Sequence, residues 1–339
     1  MSKPLLAKPI LPPDFIDVSV GEAHVVRDIL FKVFDCSLYE LPKEKNMWEY
    51  PNPCGYKPLT QLLEDKYQSP VVITNGAKQG LSACFWALTQ MNKYHLGMRS
   101  PYWALIPPLM EMHGINNLET PFDQWDNCEM DSYLCISPNN PDGYISDLKS
   151  ESENMKEKGI PFIHDAVYHN RVYVPSNIPL EQYGDVQIYS ASKYLGLSGL
   201  RIGWCVCPNK EFYKWIMHYM EAMTVGVSIV SQMFTYDILN RMAGYPTLTE
   251  SFENQAAMAL DESKRIIAQV NPEVLEVGDV VNTAGMFGFF KTGPKFDPVK
   301  SKINFISGDL FGAPGCVRMN LAFDAKTMQE IVKRLNNVA

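Results

Sequence analysis

Polar side chains recur at a fixed interval in the middle of this sequence, each at the end of a short apolar run. Asn140 follows YLCIS, Asp165 ends PFIHD and Ser190 ends VQIYS, so that successive members of the set are 25 residues apart. An interval of this length suits one strand–helix–strand unit of a parallel sheet. Because parallel strands end at the same edge of their sheet, we expect these three polar groups to lie close together.

Further apolar runs on both sides continue the alternation of strands and helices. VVIT (71–74) leads into the helical stretch AKQGLSACFWALTQM, another strand is expected to end near Ser100, and RIGWCVCP forms a strand that Pro208 closes. The charged stretch DLKSESENMKEKG is typical of a helix that stops at Gly159. These patterns predict an α/β fold with a largely parallel sheet.

The last third of the chain has a different pattern. A helical region rich in methionine and aromatic residues is expected over about 210–243, and a further helix over about 251–270. Strands are expected near 285–291 and 316–323. The pattern therefore predicts an α+β structure for this part of the chain.

The length and charge of the chain narrow the choice further. With 339 residues it is long for one hydrophobic core. We expect a large α/β domain over residues 52–230, and a small α+β domain that combines residues 1–51 with 231–339. The net charge is −8 and no long run has one sign, which argues against nucleic acid and anionic membranes as partners.

The cysteine spacing and the lengths of the apolar runs bear on where in the cell the protein is located. The eight cysteines lack a paired spacing, and no group of histidines and cysteines has the spacing of a metal site. No run approaches the about 18 apolar residues that a membrane-spanning helix needs. We therefore expect a cytoplasmic protein with reduced thiols, no metal and no membrane segment.

Lys193 lies in the loop SASKYLGLSGLRIGW, just after the strand VQIYS. A lysine in such a loop is most often an ordinary surface residue. Here Ser190, Ser192 and Arg201 crowd around it with few acids nearby, and a neighbouring cation makes an amine easier to deprotonate and more nucleophilic. Ser190 and Arg201 could also hold a phosphate group.

The remaining polar groups each have an ordinary interpretation as a helix cap, a turn or core packing. Asp165, at the end of an apolar strand, would be buried and would need a cationic partner such as a protonated pyridine nitrogen. Asn140 in the NNPDG turn and Tyr168 could contact a ring oxygen, and Trp103 could stack on a ring. The backbone amides of TNGAKQG could bind an anion. Together with the lysine, these groups suit a site for pyridoxal 5′-phosphate (PLP).

The order of these motifs resembles the class I/II aminotransferases of fold type I. The motifs are TNGAKQGL, SPYW, SPNNPDG, HDAVY, SASKYLGLSGLRIGW and GCVRMNLAF, and the resemblance runs from about residue 15 to 325. SPNNPDG and GLSGLRIGW are most similar to the branch that contains alliinase and tryptophan–pyruvate aminotransferase. The resemblance implies a large lobe with a mainly parallel seven-stranded sheet, a smaller α+β lobe, and PLP as the cofactor.

The resemblance also implies a role for each residue toward the cofactor. Lys193 would form the Schiff base and move the Cα proton, and Asp165 would pair with the pyridine nitrogen. Tyr168 would contact the ring hydroxyl together with Asn140, which also borders the substrate, while Trp103 would stack on the ring. The phosphate would be bound by Asn75, Gly76, Ala77, Ser190 and Arg201. Many relatives have a hydroxyl residue at the position of Ala77, and Lys78 could either compensate for its absence or point to solvent.

Three further residues are implied for the substrate and the partner subunit. Arg318 would clamp the substrate carboxylate, and Gly21 would line the substrate site. Tyr50 would reach the phosphate of the neighbouring subunit, which implies a homodimer with shared active sites. The alternation in VRMNLAF places Arg318, Asn320 and Ala322 on one face of a strand. An edge-strand arginine that faces water is the ordinary alternative for Arg318.

The function implied is transfer of an amino group from an L-α-amino acid to a 2-oxo acid. The main alternative is a PLP-dependent β-lyase of the alliinase type, which would eliminate a group from Cβ of a cysteine-derived amino acid. The same site residues would serve both reactions. A PLP-binding protein without turnover is a weaker alternative, because the lysine, aspartate, tyrosine and both arginines are all present.

Overall fold

A computed structural model gives the structure of the protein for residues 11–34, 49–120 and 129–338. The strands of this described part are β1 (Ile16–Asp17), β2 (Val71–Thr74), β3 (His95–Arg99), β4 (Asn116–Thr120), β5 (Ser132–Ile136), β6 (Phe162–Asp165), β7 (Val186–Ser190), β8 (Gly203–Val206), β9 (Leu275–Glu276), β10 (Phe287–Thr292), β11 (Ile303–Asn304), β12 (Ile306–Ser307) and β13 (Cys316–Asn320). The helices are α1 (His24–Phe34), α2 (Lys57–Tyr67), α3 (Gly76–Gln90), α4 (Ile106–Met112), α5 (Leu148–Lys158), α6 (Ala191–Tyr194), α7 (Lys210–Thr224), α8 (Ile229–Gly244), α9 (Pro246–Ile267), α10 (Pro298–Ser301) and α11 (Ala325–Asn336).

Seven strands form one sheet in the order β2–β8–β7–β6–β5–β3–β4. The five strands β3 to β7 are parallel to one another, whereas β8 is antiparallel to both β2 and β7. Every residue of β5 to β8 is buried, which explains why these strands appear in the sequence as continuous apolar runs. The predicted mainly parallel seven-stranded sheet is confirmed.

Local sequence signals set the ends of several helices. The Asp147 side chain accepts a hydrogen bond from the Ser150 backbone N–H at 3.1 Å and so caps the start of α5. Gly159 ends the same helix in the left-handed conformation, with φ of 64°. The helical region expected over 210–243 is two helices, because the chain leaves helical geometry at Val225 and Gly226.

The C-terminal part contains a second, smaller sheet in the order β12–β13–β10–β9, all antiparallel. The short strand β1 pairs in parallel with β11, so the N-terminal segment is joined to this part of the chain. A core that includes Val18, Phe290 and Ile331 lies beneath this sheet. β13 is an inner strand, and Arg318 on it is 3% exposed; this observation rules out an edge arginine that faces water.

The main hydrophobic core surrounds the seven-stranded sheet and also receives side chains from α1, α8 and α9. The division into domains at residues 51/52 and 230/231 therefore stays a proposal. Within the described residues, no helix combines the length and apolar character that crossing a membrane requires. The same residues contain no group of three or more histidine, cysteine, aspartate or glutamate side chains placed to hold a metal ion.

Candidate active site

A cavity of about 480 Å³ opens at the carboxyl ends of β5, β6 and β7. This is the edge at which parallel α/β sheets bind ligands, because loops and helix N-termini converge there. Ten of the residues predicted from the sequence line this cavity together: Gly21, Ala77, Trp103, Asn140, Asp165, Tyr168, Ser190, Lys193, Arg201 and Arg318.

Three other predicted residues do not line this cavity. Gly76 lies just behind the lining, where an added Cβ would come within 2.6 Å of the Arg201 Nη2 atom. Asn75 is exposed, and its backbone N–H donates to the Gln79 side chain at 2.6 Å. Tyr50 is 88% exposed on the surface of the chain. Within the single chain, Tyr50 is not part of the cavity lining.

Lys193 lies on the short helix α6, which Ser190 caps by accepting a hydrogen bond from the Ser192 N–H at 3.1 Å. The Tyr173 hydroxyl donates to the Lys193 backbone carbonyl at 2.9 Å. The Lys193 Nζ atom donates to the Gly21 carbonyl. Burial, and then the nearby cations Arg318 and Arg201, lower the pKa of Lys193 to about 8. A neutral, nucleophilic amine is therefore accessible near neutral pH.

Asp165 ends β6 at the base of the cavity. Burial raises the pKa of this carboxyl group to about 7, and the Val167 N–H, which donates to it at 3.3 Å, only partly opposes the shift. No lysine or arginine of the described residues forms an ion pair with Asp165. A buried carboxyl group of this kind fits a cationic ligand atom, since such a partner would offset the cost of its burial.

Arg318 faces the cavity from β13. Its Nη1 atom donates to Asn140 Oδ1 at 3.0 Å, and its Nη2 atom donates to the Ser19 carbonyl at 2.8 Å. The guanidinium group also lies 4.2 Å from the ring centre of Phe287. Burial lowers the pKa of Arg318 to about 10, so the group is still a cation at neutral pH. The described part of the chain gives this cation no carboxylate partner, and its Nε atom is buried without a hydrogen bond.

The end of the cavity beside α3 is suited to an anion. The Arg201 guanidinium lies against the Gly76 backbone, at the N-terminus of the 15-residue helix α3. Gly203 makes this arrangement possible, because a Cβ at that position would come within 2.7 Å of the Gly76 carbonyl carbon. Lys78 lines the same end, with its Nζ atom 5.5 Å from the Trp103 ring centre. Lys78 therefore borders the cavity and is also exposed to solvent.

Sequence reasoning missed several residues around this site. Phe287 contacts both Arg318 and the region of Gly21, and Tyr173 supports the lysine. Ser19 and the segment 304–307 also line the cavity. Phe287 and Tyr173 read in the sequence as ordinary core positions. The N-terminal and 304–307 segments reach the site through pairing of β1 with β11, for which no local signal exists.

These groups fit PLP. The Asp165 carboxyl group, which has no cationic partner among the described residues, would hold the ring nitrogen. Asn140 and Tyr168 line the same cavity and could contact a ring oxygen. The half-buried Trp103 offers a ring face, and Arg201 with the start of α3 offers a phosphate site. Lys193 supplies the amine that such a cofactor requires.

Comparisons of the sequence agree with this fit. The sequence model of the Allinase family matches residues 62–269, which is more than half of the chain. A probable aspartate/prephenate aminotransferase of Aquifex aeolicus is 25% identical over 316 residues, which cover 81% of this chain and 77% of that protein. Tryptophan aminotransferase-related protein 2 of Arabidopsis thaliana is 29% identical over 180 residues, 50% of this chain and 38% of that protein. Alliin lyase of Allium cepa var. aggregatum is 29% identical over 156 residues, 41% of this chain and 33% of that protein.

Comparisons of the structure give the same fold. An aspartate aminotransferase variant of Thermus thermophilus superposes with a TM-score of 0.80 at 17% identity, over 97% of this chain and 98% of that one. N-Succinyldiaminopimelate aminotransferase of Mycobacterium tuberculosis superposes with a TM-score of 0.76 at 16% identity, over 96% of this chain and 94% of that one. With the family match and the site geometry, these comparisons lead to one conclusion: the chain belongs to the Allinase family and is a fold type I, PLP-dependent enzyme of the aminotransferase type.

Proposed function

We propose that the protein transfers the amino group of an L-α-amino acid to a 2-oxo acid, with Lys193 as the cofactor lysine. The observation that carries this proposal is that Lys193 and Arg318 line the same cavity. Arg318 is a buried cation without a carboxylate partner among the described residues, and an amino acid and a 2-oxo acid both bring a carboxylate. One site would therefore bind both substrates in the same orientation.

Arg318 would bind the substrate carboxylate through its planar guanidinium group. This contact would place Cα near the Nζ atom of Lys193, which lines the same cavity. Burial and the cations around Lys193 favour its neutral form. The neutral amine would remove the Cα proton and later donate it to the cofactor carbon on the other side of the substrate nitrogen. PLP supplies an electron sink for the pair of electrons left at Cα.

Asp165 would keep the cofactor's ring nitrogen protonated, which maintains its capacity as an electron sink. The cationic nitrogen would in turn compensate the burial of this carboxyl group. Asn140 and Tyr168 would orient the ring through its hydroxyl oxygen. Trp103 would cover one face of the ring and exclude water from it.

The phosphate would lie between Arg201, Ser190 and the backbone at Gly76 and Ala77, with Asn75 at the outer end of this turn. For Tyr50 to contribute, a second copy of the chain would have to present it to this phosphate. The exposure of Tyr50 on the single chain supports that arrangement. We therefore propose a homodimer with shared active sites, and a cytoplasmic location where amino acids and 2-oxo acids are available.

A PLP-dependent β-lyase is the second candidate, and the similarity to alliin lyase favours it. Both reactions begin with removal of the Cα proton by the same lysine, so the residues described above do not separate them. The products do. Mixed with an amino acid alone, a transaminase stops after one turnover, whereas a lyase acting on a cysteine-derived amino acid continues to release ammonia and pyruvate. Continuous release without a 2-oxo acid would replace the proposed function by the lyase.

Replacing Arg318 by leucine is expected to lower kcat/KM for amino acids by about 10²- to 10³-fold, because the substrate carboxylate loses its charged partner. Most of this loss should appear in KM. Steady-state kinetics across a panel of amino acids measures the effect, with Arg334→Leu as the control, since Arg334 pairs with Glu330 on α11 away from the cavity. An unchanged KM in the Arg318→Leu protein would remove Arg318 from substrate binding.

The rate at which the cofactor-free protein captures PLP is expected to depend on pH. Capture requires the neutral amine of Lys193, whose pKa is lowered to about 8. The rate should therefore rise roughly tenfold per pH unit below pH 7 and level off above about pH 8. Stopped-flow absorbance of the bound cofactor measures this profile. A rate that still rose steeply at pH 9 to 10 would indicate an ordinary lysine pKa and would contradict the described electrostatic environment.

A further inference from the structure

The N-terminal segment of residues 17–22, here called the strap, crosses the cavity beside Lys193. It carries Ser19, Val20 and Gly21, all three of which line the cavity. Asn304 holds the start of the strap by donating to Asp17 Oδ1 at 3.0 Å and to Ser19 Oγ at 3.1 Å. The strap is therefore attached to the C-terminal part of the chain through side chains, in addition to the short pairing of β1 with β11.

Asn320 binds the strap at the point where it passes Lys193. The Asn320 Nδ2 atom donates to the Val20 carbonyl at 2.9 Å and to the Glu22 carbonyl at 2.8 Å. Its Oδ1 atom accepts from the Ala322 N–H at 2.9 Å. Asn320 is 0% exposed, whereas Val20 and Glu22 are half-buried. One buried amide thus binds the backbone carbonyls of the two residues that flank Gly21.

Gly21, which lies between Val20 and Glu22, contacts Lys193. The Lys193 Nζ atom donates to the Gly21 carbonyl. The fit is close, because a Cβ added to Gly21 would lie 3.1 Å from Lys193 Nζ and 3.0 Å from Phe287 Cζ. The position of the Gly21 carbonyl therefore decides where the free amine of Lys193 rests.

We propose that Asn320 is a positioning residue for the reaction: by holding the strap on both sides of Gly21, it aims the Gly21 carbonyl at the free amine of Lys193. This proposal rests on the proposed function for the steps in which the lysine carries a proton. In those steps the amine is not bonded to the cofactor, and it needs an acceptor that keeps its lone pair directed toward the substrate. Small displacements of a reacting group are costly, since a shift of about 1 Å can reduce a rate about 10²-fold.

The first test replaces Asn320 by aspartate, Asn320→Asp. The two side chains have the same shape, and a carboxylate can still accept from Ala322, but it cannot donate to the Val20 and Glu22 carbonyls. In the holoenzyme, exchange of the substrate's Cα hydrogen with deuterated water reports proton transfer by the lysine whether the final product is that of a transaminase or a lyase. Proton NMR should show exchange about 10- to 100-fold slower in Asn320→Asp. Binding of the amino acid, followed by cofactor absorbance, should change less than threefold.

The matched control is Gln232→Glu. Gln232 is also a 0% exposed amide that donates to one backbone carbonyl, that of Val227 at 2.8 Å, and accepts from one backbone N–H, that of Tyr56 at 2.7 Å. It does not line the cavity. If Asn320 acted only by supporting the fold, both variants would lower the melting temperature and neither would slow exchange per folded molecule. Exchange at the wild-type rate in folded Asn320→Asp would overturn the proposal.

A second variant covers the case in which Asn320→Asp does not fold. Gly21→Ala displaces the same carbonyl directly, because its Cβ would press on Lys193 and Phe287. It should slow exchange by a similar factor, and Asn320→Ser in this background should add little, since both changes act through one carbonyl. Fully additive effects would contradict a shared route.

The outcome also separates this proposal from the proposed function. If the wild-type holoenzyme exchanges Cα hydrogen but forms no transamination product, the proposed function fails and the comparison of variants still stands. If the wild-type protein shows no exchange with any amino acid, the rate of PLP capture by the cofactor-free protein becomes the readout of the lysine. Slower capture in Asn320→Asp than in Gln232→Glu would then support the positioning role, and equal rates would reject it.

Discussion

Lys193→Ala protein is expected to lose turnover by about four orders of magnitude or more, while retaining its fold. The change removes both the amine that would bind the cofactor and the base that would move the Cα proton, and a positioned base alone contributes about 10²- to 10⁴-fold. The fold should survive, because Tyr173 bonds the backbone carbonyl of residue 193 and not its side chain, and Ser190 caps the helix through Ser192. Single-turnover kinetics with excess enzyme measures the loss.

Lys264→Ala is the control for this variant. Lys264 is a buried lysine that, like Lys193, donates to a backbone carbonyl, that of Thr283 at 2.7 Å, but it does not line the cavity. Its removal should reduce thermal stability and leave turnover per folded molecule near the wild-type value. The assignment of Lys193 fails if Lys193→Ala turns over normally and still shows the visible absorbance of bound cofactor.

Asp165→Asn protein is expected to bind PLP yet lose about 10³-fold in kcat, the second largest effect. An amide has nearly the same shape as the carboxyl group but carries no charge to keep the ring nitrogen protonated, so the stabilisation of charge at Cα falls. Without the cofactor, the same substitution is expected to raise thermal stability. Because burial raises the pKa of Asp165 to about 7, ionisation of this group costs stability above that pH, and Asp165→Asn should melt at a higher temperature than wild type at pH 8.

The sign of this stability effect follows from proton binding. Between the ordinary aspartate value of 3.8 and about 7, the folded protein binds a proton at Asp165 that the unfolded chain has released. Its contribution to stability is therefore fully present at low pH and is lost as the pH rises through about 7. Melting temperatures of the two cofactor-free proteins from pH 4 to 8 measure it. If the melting temperatures of the two proteins changed with pH in parallel, Asp165 would not be a buried carboxyl group without a cationic partner.

Asp185→Asn provides the control, since Asp185 accepts hydrogen bonds from Phe162 N–H and Asn209 at the amino end of β6, away from the cavity. This variant should lose some stability with little change in kcat. A loss of kcat equal to that of Asp165→Asn would indicate a general effect on the sheet instead of a role at the ring nitrogen.

Much of the large sheet could be predicted because its signals are local. VQIYS coincides with β7, and VVIT coincides with β2. Strands buried on both faces must be apolar along their whole length, and the polar residue that follows marks the edge where a ligand binds. The 25-residue interval predicted the cluster of Asn140, Asp165 and Ser190, and these residues line one cavity.

The rest of the site depends on contacts between segments that are far apart in the sequence. Arg318 and Asn140 are separated by 178 positions, and Asn320 and Val20 by 300. Arg318 could have been an edge residue in water; its inner-strand position follows from pairing of β13 with both β10 and β12. β1 is two residues long and gives no periodic signal, so its pairing with β11 could not be predicted.

The sequence by itself therefore determined the α/β class, the parallel core of the sheet, and the polar groups at its carboxyl edge. These properties arise from hydrophobic periodicity and burial over about 25 residues. Over such a span, residues that are close in the sequence are also close in space. Only the tertiary structure decided which carbonyl Lys193 contacts, that Arg318 has no carboxylate partner among the described residues, and that Asn320 holds the strap. Those features require the first and last parts of the chain to meet over the sheet, and packing of remote segments leaves no local pattern in the sequence.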